Sequence, residues 1–341
     1  MKRTLLPLSL VLGVLLAACG VTGTETVSQS YDLGSQAYLD VAEDAEVTFE
    51  ELEDGTTEVT IDFGGAIDSA FESHPAHIHA GDAGSGGAIV ITLEPVDGTT
   101  GMSTTTVTKF DDTEEEDGTT TTGADVTYED LLEYDGYVNV HLSADNLDVV
   151  FASANIGENE DVALPEVFSI VDLVTNSANA EAEIDQEFTI LLEALSVAEV
   201  NNAAVAALTA QLADDTAGPF TVLAPTDDAF EAFVADSPDI ENVGDLLISE
   251  TLADVLSYHV LAGATVRSEV VAAATTGDSI TTEQGSDLAL SVDADGNILI
   301  DNKLAITVNE EVASRTNLAA SNGVVHAIET ILTPPAPATN Q

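Results

Sequence analysis

The chain has 341 residues, of which 62 are Asp or Glu and only 6 are Lys or Arg, for a formal net charge of −56 at pH 7. That balance excludes a nucleic-acid binder working through phosphate contacts, which needs clustered cations, and a peripheral protein held on anionic lipid by charge. Hydrophobic residues make up 45%, enough for packed cores, so the acidity marks a charged surface rather than disorder, and the length suggests about two domains.

Met1-Lys2-Arg3 is a positive start, and Leu5 to Ala18 forms an apolar stretch of 14 residues. A bilayer span needs about 20 residues, so this stretch reads as the core of a signal peptide. The following Leu16-Ala17-Ala18-Cys19-Gly20 resembles the bacterial lipobox. The resemblance implies cleavage after residue 18, lipidation of Cys19 and anchoring to the membrane through N-terminal acyl chains. Cys19 is the only Cys, so no disulfide forms within the monomer. Gly20 stands where an inner-membrane retention signal often has Asp, which favours the outer membrane in a two-membrane bacterium. The expected location is the cell envelope, facing periplasm or exterior. Residues 19–32 read as a flexible tether, rich in Thr, Ser and Gly up to Ser30.

From about Tyr31 to Gly157 the hydrophobic pattern has period two. Val47 and Phe49 alternate, as do Val59, Ile61 and Phe63, with Asp54-Gly55 as a turn between them. Ala88 to Leu93, Tyr137 to Leu142 and Val149 to Ala152 are further strands. Many short strands with Gly-rich turns predict an all-β, antiparallel sandwich or barrel over 33–157, with the sandwich favoured. Asp111 to Gly118 reads as a solvated acidic hairpin tip.

Four of the six histidines fall in this region: His74, His77, His79 and His141. His77 and His79 point to one face of a strand, about 6.5–7 Å apart along it. His141 shares a face with Tyr137 and Asn139 on another strand. If the two strands are neighbours, three imidazoles converge, with His74 or Asp82 as a fourth ligand, in a set suited to Cu or Zn. Hydrogen-bonded structural histidines are the alternative. His74-Pro75-Ala76-His77-Ile78-His79, a Gly-rich turn and the later Tyr137-Val138-Asn139-Val140-His141 resemble the CHRD domain over 33–157. Asp148-Val149-Val150-Phe151 departs from that pattern, where a Gly-Glu-Ile-Arg-Gly-like segment is common. The His-x-His strand is also similar to part of copper/zinc superoxide dismutase. With four histidines and neither Arg nor Cys, the segment lacks that enzyme's full ligand set, guiding cation and disulfide, so redox catalysis is not expected.

Residues 158–166 are acidic and aperiodic and read as a linker. Beyond them Phe188, Leu191, Leu192 and Leu195 fall at helical spacing, and Val205, Leu208 and Leu212 continue on a second helix. Strand-like segments return at Phe220–Leu223, Leu288–Val292, Ile298–Ile300 and Leu304–Val308, so 167–334 reads as α+β. Asp293 to Asn297 superficially matches a calcium loop but lacks its remaining ligands and reads as a hairpin turn. Residues 335–341 form a tail after the Pro-rich stop.

Phe220-Thr221-Val222-Leu223-Ala224-Pro225-Thr226-Asp227-Asp228-Ala229-Phe230, then Tyr258-His259, then Asn322-Gly323-Val324-Val325-His326-Ala327-Ile328 with Pro334, resemble the ordered signatures of fasciclin-like (FAS1) domains. The resemblance covers 167–334. It implies the FAS1 fold and a non-enzymatic role in adhesion, with a matrix or cell-surface protein or polysaccharide as partner, and places Tyr258 and His259 near a partner-binding surface. Core packing is the other reading of His259 and His326. The charge adds an expectation of saline adaptation, since an acidic surface repels itself and is relieved by salt; simple solubility of an exported protein is the alternative.

Overall fold

A computed structural model of the protein describes residues 26–114, 120–177, 188–238, 240–247, 251–306 and 316–335. The signal stretch, Cys19, the first part of the tether, Glu115 to Gly118 of the acidic loop and the tail from 336 lie outside the described residues. Among the described residues no helix is long and apolar enough to cross a membrane.

The first part is built from β1 (Val27–Asp32), β2 (Gly34–Ser35), β3 (Glu46–Glu51), β4 (Thr57–Asp62), β5 (Ser73–Ala80), β6 (Ile89–Asp97), β7 (Met102–Val107), a small β8 (Thr113–Glu114) and β9 (Thr120–Thr121) pair, α1 (Tyr128–Leu132), β10 (Asp135–Ser143) and β11 (Asn146–Gly157). Nine strands form one sheet in the order β1-β3-β4-β7-β6-β5-β10-β11-β2. β1 and β2 are separated only by Leu33, yet they hold opposite edges: β1 pairs with β3, and β2 pairs with β11. The two edges of the sheet are therefore brought together at Leu33, within the antiparallel β-rich part expected over 33–157. A twisted sheet of this width curls, which brings its edge strands near one another. Its wall splays between β6 and β7, which pair only at Asp97 and Met102. Alternate residues face inward as period two requires. Val47, Phe49, Val59, Ile61, Ala76, Ile78, Val138, Val140 and Phe151 are fully buried there.

The second part contains α2 (Ile170–Ser177), α3 (Thr189–Asn201), α4 (Ala203–Leu212), β12 (Phe220–Pro225), α5 (Asp227–Asp236), α6 (Val243–Leu247), α7 (Leu252–Tyr258), β13 (Val260–Ala262), α8 (Arg267–Thr276), β14 (Ser279–Thr281), β15 (Asp287–Val292), β16 (Ile298–Ile300), β17 (Lys303–Ile306), β18 (Leu318–Ala320) and β19 (Gly323–Ile328). One four-stranded sheet runs β13-β12-β19-β18 and another β14-β15-β16-β17. The segments Phe220–Pro225 and Gly323–Ile328, about a hundred residues apart, lie side by side as parallel strands. Gly323 is required there, because a Cβ would run into the Phe220 backbone. Thr226 caps α5 through the Ala229 amide at 3.2 Å, with Asp227 and Asp228 in the first turn. Asp227 also takes the Ile190 amide at 2.8 Å, capping α3, which has no side-chain cap of its own. The Asp293 turn joins β15 to β16, its carboxylate accepting from the amides of Asp295 and Asn297, as expected of a hairpin.

The connector 158–166 is tied down. Asn155 donates to the Val162 carbonyl at 3.0 Å, and Asn159 donates to the Gly81 carbonyl and to Asp135. A polar knot joins the two parts. Asn146 donates to Ser143 and Ser268 at 2.7 and 2.9 Å; Asn317 donates to Asn146 and Asp148 and accepts from the Arg267 amide at 2.6 Å. Val266 and Val324 pack into the core of the nine-stranded sheet beside this knot. Asp148, at the departure from the CHRD pattern, is thus a contact between the two parts.

Candidate metal centre

β5 and β10 are antiparallel neighbours, with Tyr137 opposite His79 and Asn139 opposite His77. His77 and His79 share a face because they are two apart, and Tyr137, Asn139 and His141 share the matching face of β10. That face is the outer one, since Ala76, Ile78, Val138 and Val140 fill the interior. The ring centroids lie 5.1 Å apart for His77 and His141, 5.9 Å for His77 and His79, and 6.3 Å for His79 and His141. One ligating nitrogen from each lies within 4.8 Å of the others.

The backbone sets two of the tautomers. His79 Nδ1 is 2.9 Å from the Gly87 carbonyl and His141 Nδ1 is 2.7 Å from the Leu147 carbonyl. A carbonyl only accepts, so each Nδ1 carries the proton and each Nε2 keeps a bare lone pair. These two Nε2 atoms and His77 Nδ1 are buried without a hydrogen-bond partner. Leaving such a group unsatisfied costs about 1–3 kcal/mol each, and folded proteins hold few of them. An orienting carbonyl behind an imidazole is the usual support of a metal ligand. Tyr137 stacks on His79 at 4.9 Å and 12°, and its hydroxyl accepts the Gly87 amide at 3.1 Å. Gly87 is required where it lies, because a Cβ would strike the Ala80 carbonyl.

Burial pulls the His141 pKa down to about 4, helped by repulsion from His77 and His79 and opposed by the Leu147 carbonyl. Burial also lowers that of His77, with His79 adding and Asp111 opposing. Both imidazoles are therefore neutral at pH 7, the form that binds metal.

The other candidates fall elsewhere. His74 is fully buried on the inner face, edge-on to Phe151 at 5.1 Å. It lies three residues before His77, so alternation sends it to the opposite side, and it does not join the group. Asp82 is not in the group either. Tyr258 and His259 are 1% and 3% exposed, so the expected partner surface is not where they lie. The Tyr258 hydroxyl donates to Asp301 at 2.8 Å, and burial followed by Asp301 raises its pKa. His259 Nδ1 donates to the Val255 carbonyl at 2.7 Å, and its Nε2 accepts the Leu332 amide at 3.0 Å. The supporting roles of Gly87, Tyr137 and Leu147 were missed in sequence; only Tyr137 had a signal there, its shared face with His141.

The family model described as the fasciclin domain matches residues 186–334. Protein sll1483 of Synechocystis sp. (strain ATCC 27184 / PCC 6803 / Kazusa) is 32% identical over 167 residues, 47% of this chain and 77% of that protein. Transforming growth factor-beta-induced protein ig-h3 of Sus scrofa is 31% identical over 165 residues, 48% of this chain and 20% of its own length. The Oryctolagus cuniculus ig-h3 is 33% identical over 119 residues, 35% of this chain and 15% of its own. The chain thus spans a fifth or less of either ig-h3. A solved FAS1 domain pair from the insect cell adhesion molecule fasciclin I overlaps 59% of this chain and 64% of its own at 13% identity. Its TM-score of 0.37 is too low to bear on the fold.

Proposed function

This chain belongs to the fasciclin-domain family, and from that premise we propose an exported, lipid-anchored, non-enzymatic protein of the cell envelope. It acts in adhesion or in contact with extracellular matrix through its fasciclin part. Cys19 carries the acyl chains, the tether gives reach, a CHRD-like domain spans 33–157 and the fasciclin part spans 167–334. The acidic surface suits saline surroundings. The observation that carries the reading is the fasciclin match over 186–334, in a family associated with adhesion. The expected partner is a matrix or cell-surface protein or polysaccharide. Cells displaying the full chain should attach or aggregate more than cells without it, and the soluble chain from Gly20 onward should compete. Equal attachment with and without the chain overturns the adhesion reading. Incorporation of labelled fatty acid into a Cys19→Ser chain overturns the anchor.

A second reading is supported by the three unpartnered imidazole nitrogens: the chain binds Cu or Zn through His77, His79 and His141. Elemental analysis of the purified soluble chain tests it, and a chain that takes up neither metal removes it.

A further inference from the structure

Resting on the metal-binding reading, we propose that His77, His79 and His141 form a three-imidazole centre with one coordination position open to water and small anions. The donor count is the first argument. Among the described residues the group holds three histidines and no fourth His, Cys, Asp or Glu. Asp111, whose charge acts on His77, stays outside the group, its Oδ2 accepting from the Thr92 amide and hydroxyl at 2.7 Å. Asn139 accepts from the Ser153 hydroxyl at 2.6 Å, and the Tyr137 hydroxyl takes the Gly87 amide. His74 points into the core.

Access is the second argument. His79 and His141 are 8% and 6% exposed, with their tautomers set by carbonyls behind them. His77 is only half-buried as a residue, although its Nδ1 is buried with the other two donor nitrogens. Two ligands are therefore enclosed, and the exposed part of the group belongs to the third, which is the side from which water or a small anion would approach.

Chemistry is the third. Metal–nitrogen bonds of about 2.0–2.1 Å in a tetrahedral site require nitrogens about 3.3 Å apart. The present spread of 4.8 Å closes by ring rotations of about 1 Å per side chain. Three neutral ligands leave the full charge of a divalent ion in place. Such an ion acidifies a bound water and draws small anions to the remaining position. Imidazole ligands suit zinc and copper.

The test uses copper(II) as the probe on the soluble chain from Gly20 onward, in molar salt to suppress loose binding by surface carboxylates. One copper should bind per chain. His77→Gln and His79→Gln should each weaken binding at least about 100-fold, beyond the loss seen when only a supporting partner is removed, with unchanged far-UV circular dichroism. His77, being half-buried, provides the variant least apt to disturb folding. Azide should then add an azide-to-copper charge-transfer band and shift the electron paramagnetic resonance spectrum. Copper bound through the histidines with spectra unmoved by saturating azide overturns the open position and leaves the metal reading standing. Copper bound equally by the wild-type chain and both variants overturns the metal reading itself.

Discussion

Acidification tests the two buried histidines of the fasciclin part. His326 is completely buried, its Nδ1 accepting the Asn317 amide at 3.1 Å and its Nε2 donating to the Thr265 carbonyl at 2.8 Å. A second proton on Nδ1 would face another N–H. His259 has the same logic with Val255 and Leu332. Burial lowers both pKa values to about 4, with Arg267 adding to the effect at His326 and Lys303 at His259. The unfolded chain protonates at about 6.5. Each histidine therefore contributes stability that is fully present above pH 6.5 and is lost as the pH falls toward 4. At about 1.36 kcal/mol per pKa unit, each contribution shrinks by about 2 kcal/mol between pH 7 and pH 5. Together they remove about 4 kcal/mol, a large share of the roughly 5–15 kcal/mol that holds a domain folded. Urea denaturation at both pH values, in molar salt to damp carboxylate repulsion, measures this. His259→Gln and His326→Gln should each lose about 2 kcal/mol less on acidification than the wild-type chain. Equal acid sensitivity in all three chains, or either imidazole titrating near 6.5 in the folded protein by NMR, refutes the reasoning.

Melting temperature should rise from low to molar salt, because 62 acidic residues face 6 basic ones; a flat profile contradicts saline adaptation. Asn317→Ala should cost about 3 kcal/mol in urea midpoint stability, since Asn317 is buried, sits at φ 58° and bonds Asn146, Asp148 and the Arg267 amide. A loss under about 0.5 kcal/mol would show that the knot between the two parts is idle. Tyr137→Phe should weaken metal binding about 10-fold by freeing the Gly87 amide behind His79, and unchanged affinity would remove Tyr137 from that role.

Much of the candidate centre was legible in sequence. The spacing of His77 and His79 placed them on one face, and alternation in Tyr137 to Leu142 placed His141 with Tyr137. The same rule should have removed His74, an odd number of residues from His77. The hairpin at Asp54-Gly55, the strand Phe220–Pro225 and the Thr226 cap all formed as local chemistry requires. Tyr258 and His259 misled because a signature segment does not say which way its side chains turn. Both are consumed by core hydrogen bonds to Asp301, Val255 and Leu332.

Local pattern alone determined the surface charge, the change from period two to helical spacing, and the face each histidine takes on its own strand. Those properties depend on neighbours a few residues away. Only tertiary structure made β5 and β10 adjacent, divided the chain around Leu33 between the two edges of one sheet, and brought Asn317 to Asp148. Period two says which side of a strand is buried but carries no information about which strand lies beside it. That choice is made by the long-range packing of the whole core, and the convergence of three imidazoles rests on it.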